Sequence, residues 1–94
     1  MKLTKRQTKI LECIECGAAF RNHEVPERKS SVLIETSKAP SFTRYESSRG
    51  NFYFFVTDKT FYKIFESNGL VSHISYGDYE ISMKGKAYLK ELQK

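Results

Sequence analysis

The stretch that decides the fold is residues 57–89, TDKTFYKIFESNGLVSHISYGDYEISMKGKAYL. Its first part predicts a short helix over about residues 58–68. Thr57 is a good N-cap, and Gly69 suits the left-handed position that follows a helix end. The helical spacing of the apolar residues predicts an inner face made of Phe61, Ile64, Phe65 and Asn68.

The second part of the stretch predicts a hairpin and a closing helix. Strands are expected over 71–75 and 78–82, because alternating residues flank a tight turn at Tyr76-Gly77. Ser82 is expected to cap the last helix. Its predicted inner face consists of Ala87, Leu89 and Leu92.

The N-terminal residues predict an amphipathic helix over about residues 4–19, with Thr4 as its N-cap. One side of that helix would carry Leu3, Gln7, Ile10, Leu11, Ile14, Gly17 and Ala18. On the same helical wheel, Cys13 lies at the shoulder of the apolar stripe and Cys16 points toward water.

The middle of the chain changes from a polar loop to β structure. Residues 21–31, RNHEVPERKSS, predict the loop. The next three segments are rich in β-branched and aromatic residues, which favour strands. They predict strands over 31–37, 41–47 and 51–57, with the most strongly indicated pairing in the 42–56 hairpin.

Three parts of the sequence resemble a winged-helix domain of the kind found in small bacterial regulators. Gly69-Leu70-Val71 matches the step that ends the recognition helix in that family. The opening residues 3–15, LTKRQTKILECIE, resemble its first helix. The family's segment after the wing is matched by Tyr79, Ile81, Ser82, Gly85 and Leu89.

The resemblance implies an α+β, winged-helix-like fold spanning residues 1–94 as one domain. Its order would be an N-terminal helix, a β-meander, a short helix, a two-stranded wing and a C-terminal helix. The family's second helix has no counterpart, because residues 21–57 are expected to be mostly β. The implied function is that of a transcriptional regulator or accessory factor of bacterial or phage type that binds duplex DNA.

Composition and charge agree with this class and exclude others. Sixteen Lys and Arg against eleven Asp and Glu give a net charge of +5 at pH 7, which favours a polyanionic partner. No segment approaches the roughly 18 apolar residues that span a bilayer. The basic N-terminus lacks the apolar core of a signal peptide, so a cytoplasmic protein without a membrane partner is expected.

Neither metal binding nor catalysis is expected. The soft ligands are Cys13, Cys16, His23 and His73, but the histidines lack zinc-finger spacing and both cysteines fall within the predicted helix. A redox pair normally lies at a helix N-terminus instead. The glycines are scattered and form no phosphate loop. We therefore expect a non-enzymatic protein without a metal or cofactor.

Two groups of residues are predicted to contact duplex DNA. The exposed side of the 58–68 helix would face the major groove through Lys59, Thr60, Tyr62 and Lys63. The basic start of the first helix would hold phosphates through Lys5, Arg6 and Lys9. The predicted hairpin tip contains Asp78 and no cation, so the wing itself is not expected to enter a groove.

The central hairpin is a third candidate contact. Arg44 and Arg49 lie near Tyr45 and Tyr53, and strands that combine cations with aromatic rings can stack unpaired bases. The alternative is that these rings belong to the core. A further alternative is a protein-interaction module, either a homodimer or an inhibitor of a partner, in which strand 51–56 pairs with another chain.

Overall fold

The computed structural model describes residues 2–42 and 45–93. This part of the chain contains helices and a six-stranded antiparallel sheet. The sheet order is β3-β4-β2-β1-β6-β5. The class is α+β, as predicted. In chain order the elements are α1 (Lys5–Glu15), β1 (Gly17–Phe20), a 3₁₀ turn (Pro26–Arg28), β2 (Ser31–Thr36), β3 (Tyr45–Glu46), β4 (Phe52–Thr57), α2 (Asp58–Thr60, continuing as a π-helix over Phe61–Glu66), β5 (Val71–Ser75), β6 (Asp78–Ile81) and α3 (Met83–Leu92).

The helices cover one face of the sheet and build the core there. Ala19 faces Ile34 on one side and Tyr79 on the other, and Ile34 faces Phe54. All four side chains are buried. Because strand side chains alternate, the residues between them lie on the opposite face. That opposite face includes Tyr53 and is only half-buried.

Helix α1 begins where the sequence predicts and ends earlier. The Thr4 hydroxyl accepts a hydrogen bond from the Gln7 amide, and the Gln7 side chain accepts one from the Thr4 amide, a capping box. The predicted end at residue 19 is wrong, because the helix stops at Glu15 and Gly17–Phe20 forms β1. This strand fills the gap between β2 and β6, so the main-chain pairing of the sheet outweighs the helical pattern.

Strand β1 lies unusually close to β2 at Gly17. A Cβ atom added there would overlap the backbone carbonyl oxygen of Glu35. Glycine within a strand often marks such a close approach of two backbones. The glycine that looked like part of a helical stripe is therefore required by the sheet.

The central strands are partly as predicted. Strand β4 pairs with β2 along its whole length, from Ser31 opposite Thr57 to Thr36 opposite Phe52. The strand predicted over 41–47 is reduced to the two residues of β3, which pair only with Tyr53 and Phe52.

Helix α2 begins at Asp58 as predicted, ends at Glu66 instead of at residue 68, and has an unpredicted geometry. The Thr57 hydroxyl accepts a hydrogen bond from the Thr60 amide, and Gly69 adopts a φ of 70°. After one α-helical turn the chain forms a π-helix, a rare form that is frequent at functional sites. Phe61 and Phe65 are fully buried, as predicted.

The hairpin and closing helix follow the predicted order. The turn between β5 and β6 lies at Tyr76-Gly77, and the Ser82 hydroxyl accepts a hydrogen bond from the Gly85 amide. The predicted inner face of α3 is wrong at two positions, since Ala87 and Leu92 are exposed. Instead the buried positions are Gly85 and Leu89.

A hydrogen bond joins the segment ahead of α1 to α3. The Tyr88 hydroxyl, on α3, accepts a hydrogen bond of 2.8 Å from the Leu3 amide ahead of α1. Among the described residues, no helix has both the length and the apolar character that crossing a bilayer requires.

Candidate nucleic-acid interface

The exposed side of α2 carries the predicted contact residues. Lys59 and Lys63 are exposed, and the Tyr62 side chain is 60% exposed. Phe61 and Phe65 anchor the opposite side in the core, so the direction of the exposed side is fixed. Neither lysine forms an ion pair with any carboxylate that the structure describes.

Thr60 has a structural role in addition to its predicted one. Its hydroxyl lies 2.9 Å from the Thr57 hydroxyl, which also accepts a 3.3 Å hydrogen bond from the Thr60 amide. The side chain is half-buried. Thr60 therefore helps to cap the helix.

The two carboxylates of α2 lie against one cation, Arg21. The Glu66 carboxylate lies 3.0 Å from an Nη atom of Arg21, and the Asp58 carboxylate lies 3.7 Å from its Nε. The Arg21 guanidinium also lies over the Tyr79 ring, 5.4 Å from its centroid. The single positive charge of Arg21 thus offsets part of the negative charge of these two residues, whereas Lys59 and Lys63 have no carboxylate partner among the described residues.

Of the three predicted phosphate contacts at the start of α1, one lies in an ion pair and one lies against an aromatic ring. Lys5 is exposed and forms no ion pair with a described residue, but Lys9 lies 3.5 Å from the Glu12 carboxylate. The Arg6 guanidinium lies over the Phe42 ring, 4.6 Å from its centroid, a cation–π contact. Arg6 therefore retains its charge while its position is set by an aromatic ring.

A cleft beside Phe54 and Phe55 of β4 joins this cation to a second one. The cleft is lined by Arg6, Arg28, Phe42, Tyr45, Phe54 and Phe55, and we call it the edge cleft. Phe54 points to the helical face of the sheet and Phe55 to the other, so the cleft lies across the strand edge. The Arg28 guanidinium lies over the Phe55 ring, 5.1 Å from its centroid.

A backbone contact places the loop that carries Arg28 against the start of α2. The Asp58 amide donates a 2.9 Å hydrogen bond to the Ser30 carbonyl oxygen. Lys29 and Lys59 therefore adjoin residues that are directly bonded to each other. Six exposed cations, which we call the basic surface, follow from α1 through the edge cleft to α2: Lys5, Arg6, Arg28, Lys29, Lys59 and Lys63.

Four other cations, Lys9, Arg21, Lys38 and Arg49, lie in ion pairs, whereas Lys2, Lys84, Lys86 and Lys90 are exposed and lie in none of these pairs. The Glu35 carboxylate accepts hydrogen bonds from Arg49, at 2.9 and 3.1 Å, and from the Asn51 amide nitrogen at 2.9 Å. Lys38 lies 3.1 Å from the Glu12 carboxylate. The predicted contact residue Arg49 thus belongs to a charge-neutral cluster, and Arg44 lies outside the described residues.

The cysteines and histidines are not assembled into a site. Cys13 is buried, and this burial raises the pKa of its thiol, whereas Cys16 is exposed. The His23 ring packs edge-on against Phe55, and the His73 ring packs against Tyr79. Within residues 2–42 and 45–93, no three His, Cys, Asp or Glu side chains are grouped so as to hold a metal ion.

The sequence prediction missed several residues that line the edge cleft or belong to the basic surface. Arg28 and Lys29 lie in the segment read as a polar loop, and Phe42 lies in a predicted strand. The sequence signal that could have indicated them is the pair of adjacent cations, Arg28 and Lys29, that follows Pro26 and Glu27. The position of these residues next to Arg6 depends on the sheet, which brings distant segments together.

Comparison with known proteins adds no relatives: no protein-family profile, curated protein or solved structure matches this chain.

Proposed function

We propose that this chain is a non-enzymatic DNA-binding protein, a small transcriptional regulator or accessory factor of bacterial or phage type. In this proposal the exposed side of α2 contacts duplex DNA through Lys59, Tyr62 and Lys63, with Thr60 at its capped start. The start of α1 contacts phosphates, mainly through Lys5 and Arg6. The observation that supports it most is the basic surface, whose cations form no ion pairs within the described residues.

The charges on α2 favour a polyanion over a neutral partner. Cations that lack a carboxylate can bind phosphates without first breaking an ion pair. Each phosphate they neutralise releases counterions, which favours binding at low salt. Because Arg21 lies against Asp58 and Glu66, the repulsion that these carboxylates would exert on phosphates is reduced.

We further propose that the fold is a variant of the winged-helix arrangement. Helix α2 would be the recognition helix, β5 and β6 the wing, and α3 the closing helix. Strands β2–β4 would replace the helix that normally precedes the recognition helix. The order of α2, hairpin and α3 supports this proposal.

Fluorescence anisotropy with a labelled blunt duplex of mixed sequence tests the proposed function. The double variant Lys59→Glu/Lys63→Glu should bind at least about tenfold more weakly at low salt, because two phosphate contacts become repulsive. Lys86→Glu/Lys90→Glu is the matched control, with the same spacing and charge change on exposed positions of α3. No duplex binding by the unmodified protein at low salt would refute the proposal.

The second candidate is a protein-interaction module, which the far edge of the sheet favours. Strand β5 has no partner on its outer side among the described residues, and its residue Ile74 is 55% exposed. Tyr76 at the hairpin tip is 92% exposed. On this alternative, light scattering would show a dimer or a partner complex that Lys59→Glu/Lys63→Glu leaves unchanged and Ile74→Lys disrupts.

A further inference from the structure

A pocket lies at the β5 end of the sheet, opposite the edge formed by β3. We call it the hairpin pocket, and it is lined by Arg21, Asn22, Tyr79 and residues 73–77. Its volume is about 290 Å³. Sites that bind small molecules usually measure about 300 Å³ or more. The hairpin pocket is therefore large enough for a ligand built on one small ring system.

A β-bulge shapes one wall of the hairpin pocket. The pairing of β5 with β6 shifts between His73 and Ser75, which leaves Ile74 without an opposite residue. Bulges re-aim side chains and are frequent beside functional sites. Ile74 lines the pocket and is 55% exposed. The bulge thus gives the pocket an apolar surface against which a ring can pack.

The segment that follows β1 supplies the facing wall. The Arg21 amide donates a 2.6 Å hydrogen bond to the Gly77 carbonyl oxygen. The Asn22 side chain lies so close to Gly77 that a Cβ atom added there would overlap it. Gly77 also has a φ of 81°, a conformation that residues with a side chain rarely adopt. These contacts fix the position of the Asn22 side chain beside the pocket.

Three polar side chains of the pocket have hydrogen-bonding atoms without a partner among the described residues. The Asn22 amide group forms no hydrogen bond, and the His73 ring packs on the Tyr79 ring with both of its nitrogens unbonded. Arg21 donates to Glu66 through one Nη atom, and its other Nη atom has no such bond. Arg21 and Asn22 can therefore donate hydrogen bonds to a ligand. A few polar groups among apolar walls are typical of pockets that orient a small molecule.

The charges around the pocket favour an uncharged ligand. Arg21 is the one Lys, Arg, Asp or Glu residue among the described residues that line it. The Arg21 guanidinium lies 3.0 Å from the Glu66 carboxylate and 3.7 Å from that of Asp58. An anionic ligand would be repelled by these two carboxylates, and a cationic ligand would be repelled by Arg21. A neutral molecule avoids both penalties.

We propose that the hairpin pocket binds an uncharged, planar heteroaromatic molecule that carries a carbonyl oxygen. Arg21 and Asn22 would donate hydrogen bonds to that oxygen, and the ring would pack against Ile74. This inference does not depend on DNA binding, because none of these three residues belongs to the proposed DNA interface.

Three probes that share one ring test the inference: nicotinamide is uncharged, nicotinate is an anion and 1-methylnicotinamide is a cation. Each probe is titrated into isotope-labelled protein, and the backbone amide shifts are followed by NMR. Nicotinamide should shift the amides of residues 21–22 and 73–79, with a Kd of about 1 mM for so small a ligand. The two charged probes should bind at least about fivefold more weakly.

Variants of the pocket locate the binding. Asn22→Ala should weaken nicotinamide binding by about 2- to 12-fold, because one hydrogen bond to the ligand is lost. Ser72→Ala is the matched control, since it lies at an exposed position of the same hairpin outside the pocket and should leave the affinity unchanged. If Asn22→Ala does not fold, Ile74→Ser should weaken binding through the loss of apolar surface.

Three results would overturn the inference. The first is that tens of millimolar nicotinamide shifts no amide of the hairpin pocket. The second is that nicotinate or 1-methylnicotinamide binds as tightly as nicotinamide, which would contradict the preference for an uncharged ligand. The third is an unchanged nicotinamide affinity in both Asn22→Ala and Ile74→Ser. None of these results bears on duplex binding, which is measured separately.

Discussion

Two sets of cations on this molecule differ in their partners. Lys9, Arg21, Lys38 and Arg49 each lie against a carboxylate, and these pairs join separate segments of the fold or adjacent turns of α1. The six cations of the basic surface lie against aromatic rings or solvent. The first set compensates charge within the protein. The second set carries positive charge that no described carboxylate compensates. Lys2, Lys84, Lys86 and Lys90 are exposed and lie in none of the ion pairs either, so the proposed interface is located by the contacts that link the six residues and not by the lack of ion pairs alone.

The difference also separates stability from binding. Ion pairs that join Glu12 to Lys38, or Glu35 to Arg49, connect residues far apart in the chain and hold loops against the sheet. Arg6 and Arg28 are held by rings instead. Substitutions in the paired set should therefore change stability alone, and those in the basic surface should change nucleic-acid binding as well.

The largest expected effect is a loss of stability caused by a substitution in strand β1. Gly17→Ala should lower the free energy of unfolding by about 3 kcal/mol or more, since its Cβ would overlap the Glu35 backbone. Gly50→Ala is the control, because its Cβ would meet no atom within 4 Å and the cost is limited to a φ of 81°. Urea unfolding measures both. Equal losses would show that β1 and β2 are not closely packed at Gly17.

The next largest effect is a difference in duplex affinity between variants of the ion-paired cations and variants of the basic surface. Arg6→Ala/Arg28→Ala removes two cation–π contacts, and Lys38→Ala/Arg49→Ala removes two exposed ion pairs. Each double variant should lose about 1–2 kcal/mol or less of stability. Duplex affinity measured by anisotropy should fall about tenfold or more only for the first variant. If the second variant loses as much affinity, the distinction between paired and free cations is wrong.

A smaller effect is expected at Glu35. Glu35→Gln weakens the hydrogen bonds from Arg49 and Asn51 and should cost about 1 kcal/mol. That loss corresponds to a fall in Tm of about 4–8 °C. Duplex affinity should stay within about twofold, which calorimetry and anisotropy together would check. A marked rise in affinity would mean that Arg49, once released, contacts DNA.

The smallest effect concerns alkaline pH. Burial raises the pKa of the Cys13 thiol above its ordinary value of 9.0 and that of the Tyr79 hydroxyl above 10.0. In both cases the folded state binds the proton more tightly than the unfolded state does. Stability is therefore complete below about pH 9 and falls as the pH rises through the folded-state pKa values, by at most about 1.4 kcal/mol per unit for each group.

Thermal unfolding between pH 8 and pH 11 measures this loss. Cys13→Ala should show a shallower decline than the unmodified protein, and Cys16→Ala, at the exposed thiol, should not. Identical pH profiles for the two variants would contradict a contribution from burial of Cys13.

Local signals were sufficient for much of the fold. The caps at Thr4, Thr57 and Ser82 form as their side chains predict, because capping depends on neighbouring amides. The turn at Tyr76-Gly77 likewise requires only adjacent residues. The three caps mark the residues at which the three predicted helices begin.

Features that depend on the whole sheet were not predictable in the same way. Residues 17–20 fit a helical stripe, yet they form β1 because β2 and β6 pair with them on both sides. The π-helical geometry of α2 has no counterpart in its apolar spacing. Arg28 belongs to the basic surface because β2 pairs with β4 and brings the loop beside Asp58, a contact between residues distant in sequence.

The salt dependence of duplex binding tests the central claim most directly. We expect the logarithm of the affinity of the unmodified protein to fall linearly with the logarithm of the salt concentration. Lys59→Glu/Lys63→Glu should reduce that slope by about two units, whereas Lys86→Glu/Lys90→Glu should leave it unchanged. Equal slopes for both variants, or a slope near zero for the unmodified protein, would contradict a nucleic-acid interface on the basic surface.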